Sequence, residues 1–318
     1  MRVLVLTAAE RLPDLSTFYA DLGQSLCLDI QRLDKRQQLN LRRTLRGIDL
    51  TVYQRTLVDL PFRHLSQQSA CLARLPGLLF YEEDGCQNYL PSSRHYGQFS
   101  AFYARLPHAR VIVTGANLAE RLRQEGVNAC FLAKGFDPAK LFVEPAERDI
   151  ELGFIGRLAS AEYAERQRLL RQLMAHEPVQ LLRSEPGEAY RRLLNRIQIF
   201  VSADVGLGEY MAKNFEAMAC GCLLLAWRQA YEEQALGLRD GEHLLLYSNV
   251  DELREHIRQL RADPQRRQRI ACAGRQWVEA RRSYRALADG VADLLQEDWP
   301  AVADETSSSN WWQQLWRR

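Results

Sequence analysis

The stretch SADVGLGEYMAKNFEAMACGCLLLAW, residues 202–227, places one carboxylate, Glu216, at the start of a short helical run that Gly221 stops and an apolar strand-like run follows. A carboxylate at the mouth of a cleft beyond a strand can accept hydrogen bonds from two vicinal hydroxyls, the arrangement that a ribose offers. The glycines of the preceding loop and the free amides of the helix start would then hold an anion such as a diphosphate. The competing reading leaves Glu216 as a residue that complements the helix dipole. In the first half of the chain, YEEDG ends another apolar run, and its Asp84 is read as facing a second substrate across the cleft. His95, in SSRHYG, is read as a group that orients a hydroxyl there. A turn carboxylate and a structural histidine are the alternatives for this pair.

Groups so distant in sequence meet only if the chain builds a cleft. The apolar runs RVLVL at the start, IDLTVYQ from Ile48, PGLLFYEED from Pro76, ARVIVTG from Ala109 and NACFLAKG from Asn128 alternate with helical segments, which predicts a parallel sheet. In TGANLAERLRQEG, Asn117 is placed to cap a helix with Glu120 three residues later, Leu118 and Leu122 share a face, and Gly126 ends it. After the turn-rich GFDPAKLFVEPAERD the pattern restarts with IELGFIGRL, VQLLR, IQIFVSA and GCLLLAW. Asn249 with Glu252, and Asp263 with Pro264, then read as the caps of helices that close the second unit. The expected architecture is α/β: two Rossmann-like parallel-sheet domains facing across a cleft, residues 1–145 and 149–298, with a tail at 299–318. A length of 318 residues fits two units of roughly 150 each.

With 47% hydrophobic and 26% charged residues and a formal charge of +2, the chain has no excess charge that argues for nucleic acid. Neither G-x-G-x-x-G nor a Walker A sequence occurs, so dinucleotide and P-loop readings fall. No apolar run approaches the roughly 18 to 20 residues of a membrane span, and the start reads as a strand followed by charge rather than a signal peptide, so a cytoplasmic protein is expected. Cys27, Cys71, Cys86, Cys130, Cys220, Cys222 and Cys272 lack paired C-x-x-C spacing, and reduced, mostly buried thiols are expected. The acidic YEEDG has no nucleotide element beside it, so no metal site is expected.

The stretch NFEAMACGCLLLAW, followed by GEHLLLYSNVDELREHIRQLRADPQRRQRIACAG, resembles the carboxyl-terminal domain of the group 1 glycosyltransferases of GT-B fold, most closely the branch that includes spore-maturation-type proteins. The resemblance runs from Ile150 to Leu295 and extends weakly to AKGFDPAKLF. It implies a retaining, metal-independent hexosyltransferase-like enzyme that takes its sugar from a nucleotide-sugar donor and needs no other cofactor. The implied acceptor is a glycan or a lipid-linked glycan of bacterial surface polysaccharide or lipopolysaccharide.

Residue by residue, Glu216 matches the second glutamate of the family's E-x7-E motif, which implies a ribose contact. The first glutamate would fall on Gly208; Glu209 stands one residue late and is the candidate for reaching the donor sugar. In FIGRL, Arg157 looks like the diphosphate-binding arginine, and Lys213 or Arg166 stands in for its usual lysine partner. Arg157, Lys213 and Glu209 are thus the candidate catalytic set, the two cations stabilising charge on the leaving group. Glu216, Gly156, Gly208, Tyr210, Met211 and Asn214 are the candidate nucleotide contacts. Two other classes stay open: a non-catalytic GT-B module that binds nucleotide sugar, which the missing first glutamate permits, and a nucleotide-sugar epimerase.

Two segments point to a membrane surface. QRLDKRQQLNLRRTLRG, residues 31–47, carries Arg32, Lys35, Arg36, Arg42, Arg43 and Arg46 interleaved with Leu33, Leu39, Leu41 and Leu45. DETSSSNWWQQLWRR places Trp311, Trp312, Leu315 and Trp316 beside Arg317 and Arg318. Together they predict peripheral attachment to an anionic inner leaflet, with a solvated helix face and a protein groove as the alternatives.

Overall fold

A computed structural model describes residues 1–160 and 163–299. The first sheet contains β1 (Arg2–Ala8), β2 (Cys27–Leu33), β3 (Arg55–Asp59), β4 (Leu78–Glu82), β5 (Arg110–Val113) and β6 (Ala129–Phe131), in the order β2-β1-β3-β4-β5-β6. The second contains β7 (Ile150–Ile155), β8 (Gln180–Leu182), β9 (Ile197–Val201), β10 (Leu223–Trp227) and β11 (Leu245–Tyr247), in the order β11-β10-β9-β7-β8. Neighbouring strands pair in parallel throughout. Both faces of each sheet are covered, as parallel sheets require: along β1, Val3 and Val5 enter one core while Leu4 and Leu6 enter another. This is the expected pair of α/β domains.

Four local expectations are corrected. IDLTVYQ is not a strand: the Asp49 carboxylate accepts from the Thr51 amide and starts a 3-10 turn at Leu50–Val52, and the strand is the following RTLVD. Asn117 is not the cap of helix Ala116–Gln124, which starts one residue earlier with no side-chain cap of its own. Its first amides are held instead by Glu232 of the second domain, which accepts from Ala116 N at 3.0 Å and Asn117 N at 2.8 Å. The last helix, Tyr284–Gln296, does not close the second domain. Its Leu287, Val291 and Leu295 pack with Leu15, Phe18 and Leu22 of the first, so the chain returns to the domain where it began. Conversely Ala133, Phe136 and Leu141 join the second domain's core, which moves the junction ahead of residue 145. Asn249 and Asp263 do cap their helices, accepting from Glu252 N and Arg266 N.

In the basic segment 31–47, Leu33, Leu41 and Leu45 are core residues, and only Leu39 of its four leucines is exposed. The segment therefore has no apolar face to bury in a bilayer, although its six cations all face solvent. Residues 311–318 of the tail lie outside the described residues. Trp299 docks on the first domain, its ring 4.7 Å from the Arg55 guanidinium and 4.8 Å from that of Arg110. All seven cysteines are free, but only Cys86, Cys220 and Cys222 are buried, fewer than expected.

Glu82, the last residue of β4, is buried; it accepts from the Asp84 amide at 2.8 Å and from the Tyr103 hydroxyl at 3.3 Å. Burial, with the Asp84 charge adding to it, pushes its carboxyl from the usual 4.5 up to about 8. The folded chain therefore keeps a proton that the unfolded chain has lost, and stability from this group, full below 4.5, is lost as pH rises to about 8. Glu82→Gln keeps one acceptor oxygen for the Asp84 amide, turns its Nε2 as a donor toward the Tyr103 oxygen, and should flatten that decline, at a scale of about 1.4 kcal/mol per pKa unit. Urea unfolding of both proteins at pH 5 and pH 9 reads this, and parallel stability curves would contradict it. Glu232→Ala frees two amides at the domain junction and should cost about 1 to 2 kcal/mol. The same unfolding experiment at pH 7 measures that loss.

Candidate active site

Strands β4, β7 and β9 send their carboxyl ends into the cleft between the sheets, where parallel sheets bind ligands. A cavity of about 310 Å³ there is lined by Glu83 and Asp84 after β4, Arg157 after β7, Asp204 after β9, Lys134, and Lys213 at the start of helix Ala212–Ala219. A cavity of about 590 Å³ shares Ile155 and Lys213 with it and adds Glu216, Tyr190, Gly187 and Asp14. The two form one continuous trough. Its floor is helix Ala212–Ala219, whose start carries no side-chain cap and so offers free amides to the trough. Its end is fixed by Gly221 at φ +79°, with Cys222 N donating to Ala217 O and Gly221 N to Met218 O.

Because the helix begins at Ala212, Glu216 lies beyond the first-turn amides and does not serve the helix dipole. It is half-buried, and Tyr190 donates to its Oε2 at 2.6 Å, leaving the other oxygen toward the cavity that it lines. Burial raises its pKa, while the Tyr190 hydroxyl and the Lys213 charge pull it back. Lys213 has its pKa lowered by burial, against the pull of Glu216. Among the described residues its ammonium has no ion-pair or hydrogen-bond partner. Arg157 is exposed at the trough wall.

Arg166 lines the same cavity but spends its guanidinium internally, on Asp204 Oδ1 at 3.0 Å, Ala203 O at 3.1 Å and Arg157 O at 3.3 Å. Of the two candidates for second cation, Lys213 is the available one. Asn214 lines the trough from a buried position and donates to Asp204 Oδ2 at 2.8 Å, so it braces the β9 loop rather than offering its amide to a ligand. Met211 and Asp84 line the cavity.

Five expected contacts are placed elsewhere. Glu209 is fully buried beneath the trough, accepting from Thr114 and, at 3.2 Å, from the Lys134 ammonium, so its carboxylate does not reach a donor sugar. Tyr210 is buried, donates to Glu233 at 2.7 Å and stacks on Phe215. Gly208, at φ +67°, lines a different cavity. Gly156 does not line the trough but makes room for a ring that does: a Cβ there would stand 2.6 Å from Phe154. His95 packs edge-on against Phe62 and Phe99 and hydrogen-bonds Gln98, away from the trough.

Two features escaped the sequence reading. Lys134, at the end of the NACFLAKG run, is buried among Glu209, Glu83 and Asp84; burial alone would lower its pKa, but these carboxylates raise it. Glu83 is gripped by Arg11, which also pairs with buried Asp59 at 2.6 Å. The clue to Lys134 was a lysine directly before the glycine that leads the chain across the junction.

Residues 136–293 match a family model described as glycosyl transferase-like. No curated protein sequence matches the chain. Among solved structures, Anabaena HepE in complex with UDP and glucose is 13% identical, with 94% of this chain and 100% of that one covered and a TM-score of 0.68. The sucrose-phosphate synthase of Thermosynechococcus elongatus is 13% identical over 92% of this chain and 98% of its own, at a TM-score of 0.66. The T4 phage β-glucosyltransferase in complex with UDP-glucose is 12% identical over 93% and 100%, at 0.60. The two facing sheets are those of the GT-B fold, and residues 136–293 form a glycosyl transferase-like domain within it.

Proposed function

We propose that the chain is a retaining transferase that moves a sugar from a nucleoside-diphosphate sugar to a glycan acceptor of bacterial surface polysaccharide or lipopolysaccharide. The observation that carries the reading is the single trough with Glu216 at one end and Lys213 and Arg157 along its floor and wall. A ribose at Glu216 puts the diphosphate over the free amides of helix Ala212–Ala219, between two cations. Departure of the nucleotide builds negative charge there, and Lys213 and Arg157 meet it in a site already organised by the second domain. The sugar then faces Glu83 and Asp84, carboxylates that can accept from hydroxyls of the sugar or of the incoming acceptor.

The HepE complex with UDP and the T4 phage enzyme's complex with UDP-glucose support a uridine nucleotide as the first donor to test. Retention and the surface-polysaccharide acceptor rest on the resemblance to group 1 enzymes. Among the described residues no helix is long and apolar enough to cross a membrane. A lipid-linked acceptor would be met at the bilayer surface, and the six exposed cations of residues 31–47 support an electrostatic contact with anionic lipid rather than insertion.

Release of UDP from UDP-sugars, with and without added acceptor glycans, tests the transfer. Acceptor-dependent release supports it, and nucleotide release or isomerisation that ignores the acceptor favours a hydrolytic or epimerase activity. Glu216→Gln keeps the Tyr190 contact but loses the charged acceptor, so UDP binding measured by calorimetry should weaken by about 1.5 to 3 kcal/mol. Since burial raises the Glu216 pKa, wild-type affinity should fall as acid protonates it, and the variant should lose that dependence. Unchanged affinity would remove Glu216 from the ribose site. Arg157→Ala should lower turnover more than it weakens nucleoside binding, because its charge matters most as the leaving group forms. An equal loss for uridine and for UDP would be incompatible with that role.

A further inference from the structure

Arg11 stands on the turn between β1 and helix Leu12–Leu22, where its amide donates to Ala8 O at 3.0 Å and Pro13 stiffens the first turn of the helix. Its guanidinium joins two carboxylates. One nitrogen pairs at 2.6 Å with Asp59, the buried last residue of β3, and another pairs with Glu83, which lines the trough. Asp59 is the fixed end of this chain of charges, because its other oxygen accepts from Thr7 at 3.0 Å and from Tyr19 at 2.9 Å. Arg11 carries that fixity forward to Glu83.

Both oxygens of Glu83 are held from the protein side: Oε2 by Arg11, and Oε1 by the hydroxyl of Tyr81 at 3.3 Å, with Tyr81 buried on Phe18. Each oxygen keeps a further lone pair, so the carboxylate can accept from two hydroxyls at once in one set geometry. The Glu83 charge acts to raise the pKa of Lys134 and of Glu216, which places it within electrostatic reach of both cavities of the trough. The carboxylate beside it is built differently. Asp84 is exposed and its side chain has no hydrogen-bond or ion-pair partner among the described residues, which suits a group that meets an incoming acceptor.

The second domain has no carboxylate left for the donor sugar. Glu209 is spent on Lys134 and Thr114, Asp204 on Arg166 and Asn214, and Glu216 lies at the ribose end. We infer that Glu83, from the first domain, takes that place and accepts from neighbouring hydroxyls of the donor sugar, and that Arg11 is the positioning residue that fixes its carboxylate. This rests on the sugar-transfer reading of the trough and adds to it which carboxylate reads the sugar and what aims it. Without Arg11 the Glu83 side chain is free to turn toward Lys213, and the hydroxyls lose an acceptor of set geometry.

The test is calorimetry on the full chain with UDP, UDP-glucose, UDP-galactose, UDP-N-acetylglucosamine and UDP-N-acetylgalactosamine, read in each protein as the ratio of UDP-sugar affinity to UDP affinity. For at least one sugar that ratio should fall about tenfold in Glu83→Gln and by a similar factor in Arg11→Met, the equivalent of one lost hydrogen bond. With both changes together it should fall no further than with either, because Arg11 acts through Glu83. UDP affinity itself should fall in none of these proteins. Arg11→Met leaves the buried Asp59 charge unpaired; where that unfolds the chain, Arg11→Met with Asp59→Asn takes its place in the comparison. An unchanged ratio in Glu83→Gln or in the Arg11 variant, or losses that add when the two are combined, overturns the assignment even where UDP binds every protein alike. Failure of UDP to bind the wild type marks the separate failure of the donor reading and takes this proposal with it.

Discussion

Everything in the cleft is arranged around a buried charge pair at the junction of the two domains. Glu209 is fully buried and the Lys134 side chain nearly so, and the pair is completed by the Thr114 hydroxyl from the end of the first sheet. Two charges withdrawn from water are costly apart and tolerable only together. Separating the domains would take the Thr114 hydroxyl away from Glu209 and open the pair to water, so the contact favours the closed arrangement. Gly115 shows how close that approach is: a Cβ there would stand 2.8 Å from Gly208 O and 2.9 Å from Glu209 Cβ. Glu232, on the amides of helix Ala116–Gln124, fastens the same corner. The junction is thus built from polar contacts that need exact partners, where an apolar seam would tolerate sliding.

The same pair divides the space between the sheets. On one side lies the trough with Glu216, Lys213 and Arg157; on the other lies the cavity with Gln229 and Trp227. Because Glu209 touches both walls, the two spaces are held relative to one fixed point. That is the positional demand of any two-substrate transfer: the reacting atoms must be held within a fraction of an ångström of their working geometry.

Much of this is legible in the sequence alone. Period and punctuation located nine of the eleven strands' neighbourhoods, because buried parallel strands read as short apolar runs between helical ones. The strand at RTLVD was displaced onto IDLTVYQ because Asp49 makes a turn of residues whose propensities favour a strand. β2 escapes because its half-exposed edge position leaves a mixed pattern. Glu216 and Arg157 both line the trough because each stands in or just after an element of one domain that its own local pattern marks. Glu209, Tyr210 and His95 were misplaced for the opposite reason: their partners, Lys134, Glu233 and Phe62, come from distant segments, and no local pattern announces such a meeting. The cap from Glu232 to Ala116 belongs to the same class, a contact across 116 residues that displaced a well-formed local capping signal.

The charges of the trough are divided by domain. Its free cations, Lys213 and Arg157, belong to the second domain, and its carboxylates Glu83 and Asp84 belong to the first. Glu83 does not drift toward those cations, because Arg11 holds it from behind. Arg11 is itself anchored by Asp59, which also accepts from Thr7 at 3.0 Å and Tyr19 at 2.9 Å. Burial nonetheless raises the Asp59 pKa, so the anchor depends on Arg11 staying in place. In water such opposed charges would collapse onto one another; here each is held on its own sheet, and the field between them persists. For the proposed transfer that field has the useful sign at both ends, negative where a hydroxyl must give up a proton and positive where a phosphate must leave. A scaffold of two rigid sheets can maintain such a field without a ligand, which a single domain with one ring of loops could do only by burying charges next to their opposites.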